Sequence, residues 1–126
     1  MMATKVLVVD DEEDYRTIVK TVLEDAGYEV RLAEGGEQGL SAVEEYQPEM
    51  ILLDWTMPEQ EGPSFVQKVR SSGARKDVPV IVLTEQEFPD QEPDDLPSDV
   101  DDFIGKPFER GDLLTRLQAM LWRVPT

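Results

Sequence analysis

The chain has no cysteine and no histidine among its 126 residues. Without cysteine it forms no disulfide and no thiolate metal site, which is compatible with the cytosol. Without histidine it has no imidazole to serve as a base, a metal ligand or a phosphate carrier. Any histidine chemistry in its function must therefore come from a partner.

Basic residues are scarce. Twelve lysines and arginines stand against 28 aspartates and glutamates, which gives a formal net charge of −16. Such a surface repels nucleic acids and anionic lipids at long range. No apolar run approaches the roughly 20 residues that cross a bilayer, and the N-terminus has no apolar segment typical of a signal peptide. We therefore expect a cytoplasmic protein that binds neither nucleic acid nor membranes directly.

Short apolar runs alternate with segments in which apolar residues recur at helical spacing. The runs at residues 5–9, 28–33, 50–54, 78–84 and 103–104 predict five strands. The segments at 15–26, 37–45, 63–73 and 113–121 predict helices, the first of which ends before Gly27. Gly35 and Gly36 are expected in a turn. This alternation predicts a single doubly wound α/β domain, residues 1–126, built on a parallel sheet.

One segment does not fit the alternation. A fourth crossover helix is expected between Thr84 and Phe103, but residues 85–102 contain nine acids, no lysine or arginine, and three prolines at positions 89, 93 and 97. A proline inside a helix costs about 3 kcal/mol. We expect an acidic, proline-rich loop in place of that helix over about 85–101. It is either a solvated connection or a partner-binding or regulatory segment.

Two of the apolar runs stop abruptly at acids. The first is followed by Asp10 and Asp11, and the third ends at Asp54. If both strands lie side by side in one parallel sheet, their carboxyl ends open into the same crevice. Three converging carboxylates repel one another unless a hard cation such as Mg²⁺ lies among them. The pattern predicts a magnesium pocket, although Asp10 and Asp11 could instead cap a helix and Asp54 could simply end a strand.

Four motifs in order resemble the receiver domains of bacterial two-component response regulators of the chemotaxis-regulator type. The resemblance runs from about Lys5 to Trp122. The motifs are Val-Leu-Val-Val-Asp10-Asp11-Glu12, Met-Ile-Leu-Leu-Asp54-Trp-Thr-Met-Pro58, Ile-Val-Leu-Thr84 and Phe103-Ile-Gly-Lys106-Pro107-Phe108. The resemblance implies a flavodoxin-like, five-stranded sheet of order 2-1-3-4-5. We expect residues 1–126 to form one receiver domain without an output domain. The resemblance also implies a phosphoryl donor, which is the phosphohistidine of a sensor histidine kinase or a histidine phosphotransfer protein.

The resemblance further implies a role for each site residue. Asp54 would accept the phosphoryl group, and Mg²⁺ or Mn²⁺ would bind Asp11, Asp54 and the main-chain carbonyl of Thr56, with Asp10 acting through a water. Lys106, aimed by a cis Lys106–Pro107 bond, would pair with the phosphoryl oxygens. Thr84 would hydrogen-bond them, and Phe103 would change rotamer to signal to a downstream protein target. Such a domain catalyses only its own phosphorylation and dephosphorylation.

Two other functions remain open from the sequence. A pseudo-receiver that only binds proteins is favoured by the disrupted helix and by Glu85, which stands where the family usually has a small residue. The acids, Thr84 and Lys106 argue against it. A haloacid-dehalogenase-like phosphatase also uses a nucleophilic aspartate in a parallel sheet, but it needs an acid two residues after the nucleophile, where this chain has Thr56.

Overall fold

The computed structural model describes residues 4–55, 61–71, 77–84, 100–105 and 108–123. These residues form five strands, all parallel, in the order β2-β1-β3-β4-β5. The α/β class and the strand order expected from the sequence are therefore confirmed. No helix in these ranges has the length and apolar character needed to cross a membrane. The strands are β1 Lys5–Val9, β2 Glu29–Ala33, β3 Met50–Asp54, β4 Val80–Thr84 and β5 Asp102–Gly105, and the helices are α1 Glu13–Asp25, α2 Gly36–Tyr46, α3 Glu61–Ser71 and α4 Arg110–Arg123.

The sheet separates two apolar cores because side chains alternate between its faces. One core joins the sheet to α2 and α3 and includes Leu7, Leu53 and Phe65. The other joins it to α1 and α4 and includes Val8 and Leu52. The central strands β1 and β3 are thus buried on both sides, as their continuous apolar runs predicted. The residues that follow these strands lie at the carboxyl edge of the sheet, between the two helical layers.

Element boundaries follow the local chemistry of the chain. Gly27 ends α1 as predicted: it has a φ of 97°, and its N–H donates to the Glu24 carbonyl at 3.0 Å. Only glycine adopts such a φ freely. Gly36 was expected in a turn but is the first residue of α2. β2 and β4 each begin later than predicted, and the late start of β4 at Val80 follows Pro79, which has no N–H to donate.

The C-terminal end of the acidic segment is anchored to β4. Asp101 Oδ2 accepts the Val80 N–H at 2.9 Å and the Arg70 Nη2 at 3.2 Å. Arg70 Nη1 also donates to the Val78 carbonyl at 2.6 Å. Residues 85–99 lie outside the described residues, so the expected loss of a helix there stays a prediction.

Helices α2 and α3 approach closely at Gly39. A Cβ at this position would lie 2.7 Å from Cε1 of Phe65 and 3.1 Å from Cγ2 of Val9. Both neighbours are fully buried, so neither has room to move aside. The absence of a side chain at Gly39 is what allows this packing.

We therefore expect Gly39→Ala to lower the free energy of unfolding by about 1–3 kcal/mol, the usual cost of overpacking a core. Gly111→Ala is the matched control, because Gly111 lies in α4 and, apart from the backbone of its own helix, no atom of the described residues lies within 4 Å of the added methyl. That change should leave the free energy of unfolding unchanged or raise it slightly, because Gly111 is the second residue of α4 and the advantage of alanine over glycine, about 0.5–1 kcal/mol in the middle of a helix, is smaller at its start. Urea denaturation measures both. A Gly39→Ala protein as stable as the Gly111→Ala protein would contradict this packing.

Candidate metal centre

The register of β1 against β3 brings two acids together. Val9 pairs with Leu53, and the next residues along the two strands are Asp10 and Asp54. Both aspartates have 0% exposure. They continue the alternate positions of Val6 and Val8 in β1 and of Met50 and Leu52 in β3, which contribute to the core under α1 and α4. The convergence predicted from the strand ends is confirmed.

Four acids meet at this edge. Carboxylate oxygens of Asp10, Asp11, Glu12 and Asp54 all lie within 4.8 Å of one another. Two like charges about 4 Å apart repel by about 4 kcal/mol at an effective dielectric constant of about 20. A cluster of oxygen donors with no nitrogen or sulfur suits a hard divalent cation such as Mg²⁺. The residues present therefore fit an acidic pocket that holds such an ion.

Asp10 also shapes the turn between β1 and α1. Its Oδ1 accepts the N–H of Glu12 at 2.9 Å, and its own N–H donates to the Ala33 carbonyl at 3.1 Å. The residue at the N-cap of α1 is Glu12, whose side chain makes no capping hydrogen bond. The helix-cap alternative is therefore only partly right, since Asp10 holds the turn that precedes the cap.

The Asp11 carboxyl lies at the mouth of the pocket. Loss of hydration raises its pKa above the ordinary 3.8, and a hydrogen bond to Asp54 and the negative charge of Asp54 raise it further. A backbone hydrogen bond opposes part of this change. The ion-free pocket therefore retains a proton to higher pH than an isolated aspartate does, so that protons and a cation compete for the same oxygens.

The structure describes only some of the other predicted site residues. Thr84 is the last residue of β4, one position beyond the Leu83 that pairs with Asp54. Phe103 lies in β5, partly buried against the core under α2 and α3. Thr56, Lys106 and Pro107 lie outside the described residues. Their roles, and the cis bond, stay predictions.

Glu12 is the acid whose place in the pocket the sequence did not predict. It was quoted as part of a motif and as one of several acids at the start of α1, where acids are common because of the helix dipole. The structure places its carboxylate within the 4.8 Å cluster. The available signal was its position directly after Asp10 and Asp11, before the helix begins.

Comparison with known proteins identifies the family of this chain. Residues 6–118 match the response regulator receiver domain family. The chain is a response regulator receiver domain. Switching by phosphorylation is typical of this family. The receiver domain is 35% identical over 123 residues to the phosphate regulon transcriptional regulatory protein PhoB of Pseudomonas aeruginosa, a match that covers 98% of this chain and 54% of that protein. The chain thus spans about half the length of that relative.

Solved structures share the fold. The chemotaxis protein CheY4 of Vibrio cholerae superposes on the receiver domain with a TM-score of 0.83 and 31% identity, over 94% of this chain and 99% of that one. The receiver domain of the sensor histidine kinase PA1611 of Pseudomonas aeruginosa gives a TM-score of 0.84 and 26% identity, over 96% and 99% of the two chains. That structure has a magnesium ion coordinated in its active-site cleft.

We expect Asp11→Asn to raise the melting temperature of the ion-free receiver domain at neutral pH, because it removes one of the mutually repelling charges. The same change should weaken stabilisation by Mg²⁺, which in the wild type reaches about 2.7 kcal/mol when the free ion exceeds its Kd about 100-fold. Thermal melts in EDTA and in Mg²⁺ measure both effects. Asp14→Asn, an exposed acid of α1, is the control.

The sign of the pH dependence follows from the raised pKa of Asp11. A group whose pKa is raised in the folded state destabilises that state above the raised pKa, and the effect disappears below the unfolded value of 3.8. The advantage of Asp11→Asn in EDTA should therefore shrink as the pH falls through this range. A variant no more stable than wild type in EDTA at neutral pH would contradict this account of the pocket.

Proposed function

We propose that Asp54 of this receiver domain accepts a phosphoryl group from the phosphohistidine of a sensor histidine kinase or a histidine phosphotransfer protein. The observation that carries the proposal is the burial of Asp54 at the end of β3, in register beside Asp10 and with a carboxylate oxygen within 4.8 Å of one of Asp11. Burying a carboxylate among other acids costs stability, which a purely structural residue would not require. The absence of histidine from this chain agrees with a donor on a partner.

The proposed metal site uses Asp11, Asp54 and the main-chain carbonyl of Thr56 as direct ligands of Mg²⁺ or Mn²⁺, with Asp10 acting through a water. The hydrogen bond from the Glu12 N–H to Asp10 Oδ1 supports an indirect role for Asp10, since one of its oxygens is already engaged. The magnesium in the active-site cleft of the PA1611 receiver domain supports the choice of ion. When bound, the ion would neutralise the acids and the oxygens of the incoming phosphoryl group.

The proposed transfer is a nucleophilic displacement at phosphorus. An Asp54 carboxylate oxygen forms the new O–P bond while the N–P bond of the partner's phosphohistidine breaks, and the imidazole nitrogen leaves with the electron pair. Lys106 would pair with the phosphoryl oxygens and Thr84 would donate a hydrogen bond to them. Phe103 would then change rotamer, and a downstream protein would recognise the altered surface. Water later cleaves the aspartyl phosphate and restores Asp54.

The decisive experiment is intact-mass measurement after incubation with acetyl phosphate and Mg²⁺. We expect the wild type to gain the mass of one phosphoryl group, and we expect no gain with Asp54→Ala or with EDTA in place of Mg²⁺. Asp14→Ala removes an exposed acid of α1 close in sequence to the pocket and should still be labelled. If Asp54→Ala is labelled as fully as the wild type, the phosphoryl acceptor is a residue other than Asp54.

The same assay separates the alternatives. A wild-type chain that gains no mass, and that binds no beryllofluoride in the presence of Mg²⁺, would be the pseudo-receiver. Repeated turnover of a small phosphate ester, with many products formed per protein molecule, would indicate the phosphatase.

A further inference from the structure

We propose that Arg16 is a positioning residue for the metal site. It holds the turn that carries Asp10 and Asp11 in the geometry that binds the cation, although it touches neither the ion nor the phosphoryl group. This inference rests on the metal binding proposed above.

The guanidinium of Arg16 reaches back from α1 over the end of β1. Its Nη1 donates to the main-chain carbonyl of Asp10 at 2.8 Å, and its Nη2 lies 3.6 Å from Oε1 of Glu34. The side chain is only 12% exposed, although it starts one turn into the helix. The backbone N–H of Arg16 donates to the Glu12 carbonyl at 3.1 Å. Arg16 is thus tied to the turn through both its side chain and its main chain.

The side chain of the second partner, Glu34, is 66% exposed, and Gln38 contacts both its main chain and its carboxylate. Glu34 follows β2, its N–H donates to Gln38 Oε1 at 3.0 Å, and Gln38 Nε2 donates back to Glu34 Oε2 at 3.4 Å. The Asp10 N–H is bonded to Ala33, which precedes Glu34. A planar guanidinium with several fixed donors is suited to join two such acceptors. Arg16 therefore links the carboxyl ends of β1 and β2 beside the pocket.

This link fixes the peptide between Asp10 and Asp11. The carbonyl of that peptide accepts from Arg16, and the adjoining side chain of Asp10 accepts from the Glu12 N–H. Because the peptide is fixed at both points, the side chain of Asp11 is attached to the main chain at a fixed position relative to Asp54. Groups that orient metal ligands without touching the metal typically contribute about 10–100-fold to metal affinity.

The charge of Arg16 and its positioning role act in opposite directions on cation affinity. A positive group near four acids repels an incoming cation, so removing it should tighten Mg²⁺ binding if only charge matters. Removing the hydrogen bond to the Asp10 carbonyl should weaken Mg²⁺ binding if the turn needs it. The sign of the measured change decides between the two effects.

The test is a calorimetric titration of Mg²⁺ into Arg16→Met, which keeps an unbranched apolar stem and removes the donors. We expect the Kd for Mg²⁺ to rise about tenfold. The matched control is Lys20→Met, which also removes one positive charge from α1 and, among the described residues, loses an exposed 3.9 Å pair with Glu24. Its Kd should equal that of the wild type or fall slightly. A Kd for Arg16→Met equal to or below the wild-type value would overturn the proposal.

A second variant covers the possibility that Arg16→Met does not fold, which a melt in EDTA would reveal. Arg16→Lys keeps the charge but offers a single ammonium in place of the fork that reaches both acceptors, and we expect its Kd for Mg²⁺ to be several-fold higher than wild type. A Kd equal to wild type in a folded Arg16→Lys protein would equally overturn the role of Arg16.

Phosphorylation kinetics supply an independent readout. The half-saturating Mg²⁺ concentration for labelling by acetyl phosphate should rise in the Arg16 variants, while the rate at saturating Mg²⁺ stays close to wild type. If the labelling rate of the Arg16 variants stays below that of the wild type at saturating Mg²⁺, Arg16 acts on a step other than metal binding and the proposal is contradicted. If the wild type neither binds Mg²⁺ nor is labelled by acetyl phosphate, the proposed function itself is contradicted. If the wild type and the Arg16 variants bind Mg²⁺ with equal Kd, only the role of Arg16 is contradicted.

Discussion

The parallel register between β1 and β3 is the constraint on which the whole site depends. It sets Asp10 beside Asp54 and buries both. Because these strands are apolar on both faces, alternation of polar and apolar residues does little to specify which residue pairs with which. Bonds at the strand ends help to fix the register. The Glu49 N–H donates to the Lys5 carbonyl at 2.8 Å, which fixes the start of β3 against β1. At the other end of β3, the Trp55 N–H donates to the Leu83 carbonyl at 2.8 Å, which fixes β3 against β4.

The two cores must offset the electrostatic cost of the pocket. Gathering four carboxylates within 4.8 Å destabilises the ion-free fold. Fully buried Leu, Val, Ile and Phe side chains on both faces of the sheet stabilise it by about 1.5–3 kcal/mol each on burial. The pocket is therefore held in a geometry that suits an ion before the ion arrives, because the sheet keeps the acids from moving apart.

Part of this site could be predicted from the sequence, and the limits have physical causes. Asp10, Asp11 and Asp54 were predictable because each follows an apolar run, and parallel strands end at one edge. The contribution of Glu12 and the contact of Arg16 with Glu34 were not, because both depend on the path of the turn after β1. A single residue in such a turn redirects every side chain around it, and neither periodicity nor composition records its conformation.

Strand β4 connects the part of the carboxyl edge that carries Asp10 and Asp54 to the rest of the sheet. Asp54 pairs with Leu83, and the Trp55 N–H bonds to the Leu83 carbonyl, so that a rearrangement at the end of β3 acts directly on β4. The opposite end of β4 is held by Asp101 and Arg70. Since the start of β4 is anchored, we expect a change at Asp54 to be accommodated at the carboxyl end of β4, where Thr84 pairs with Gly105, the last residue of β5.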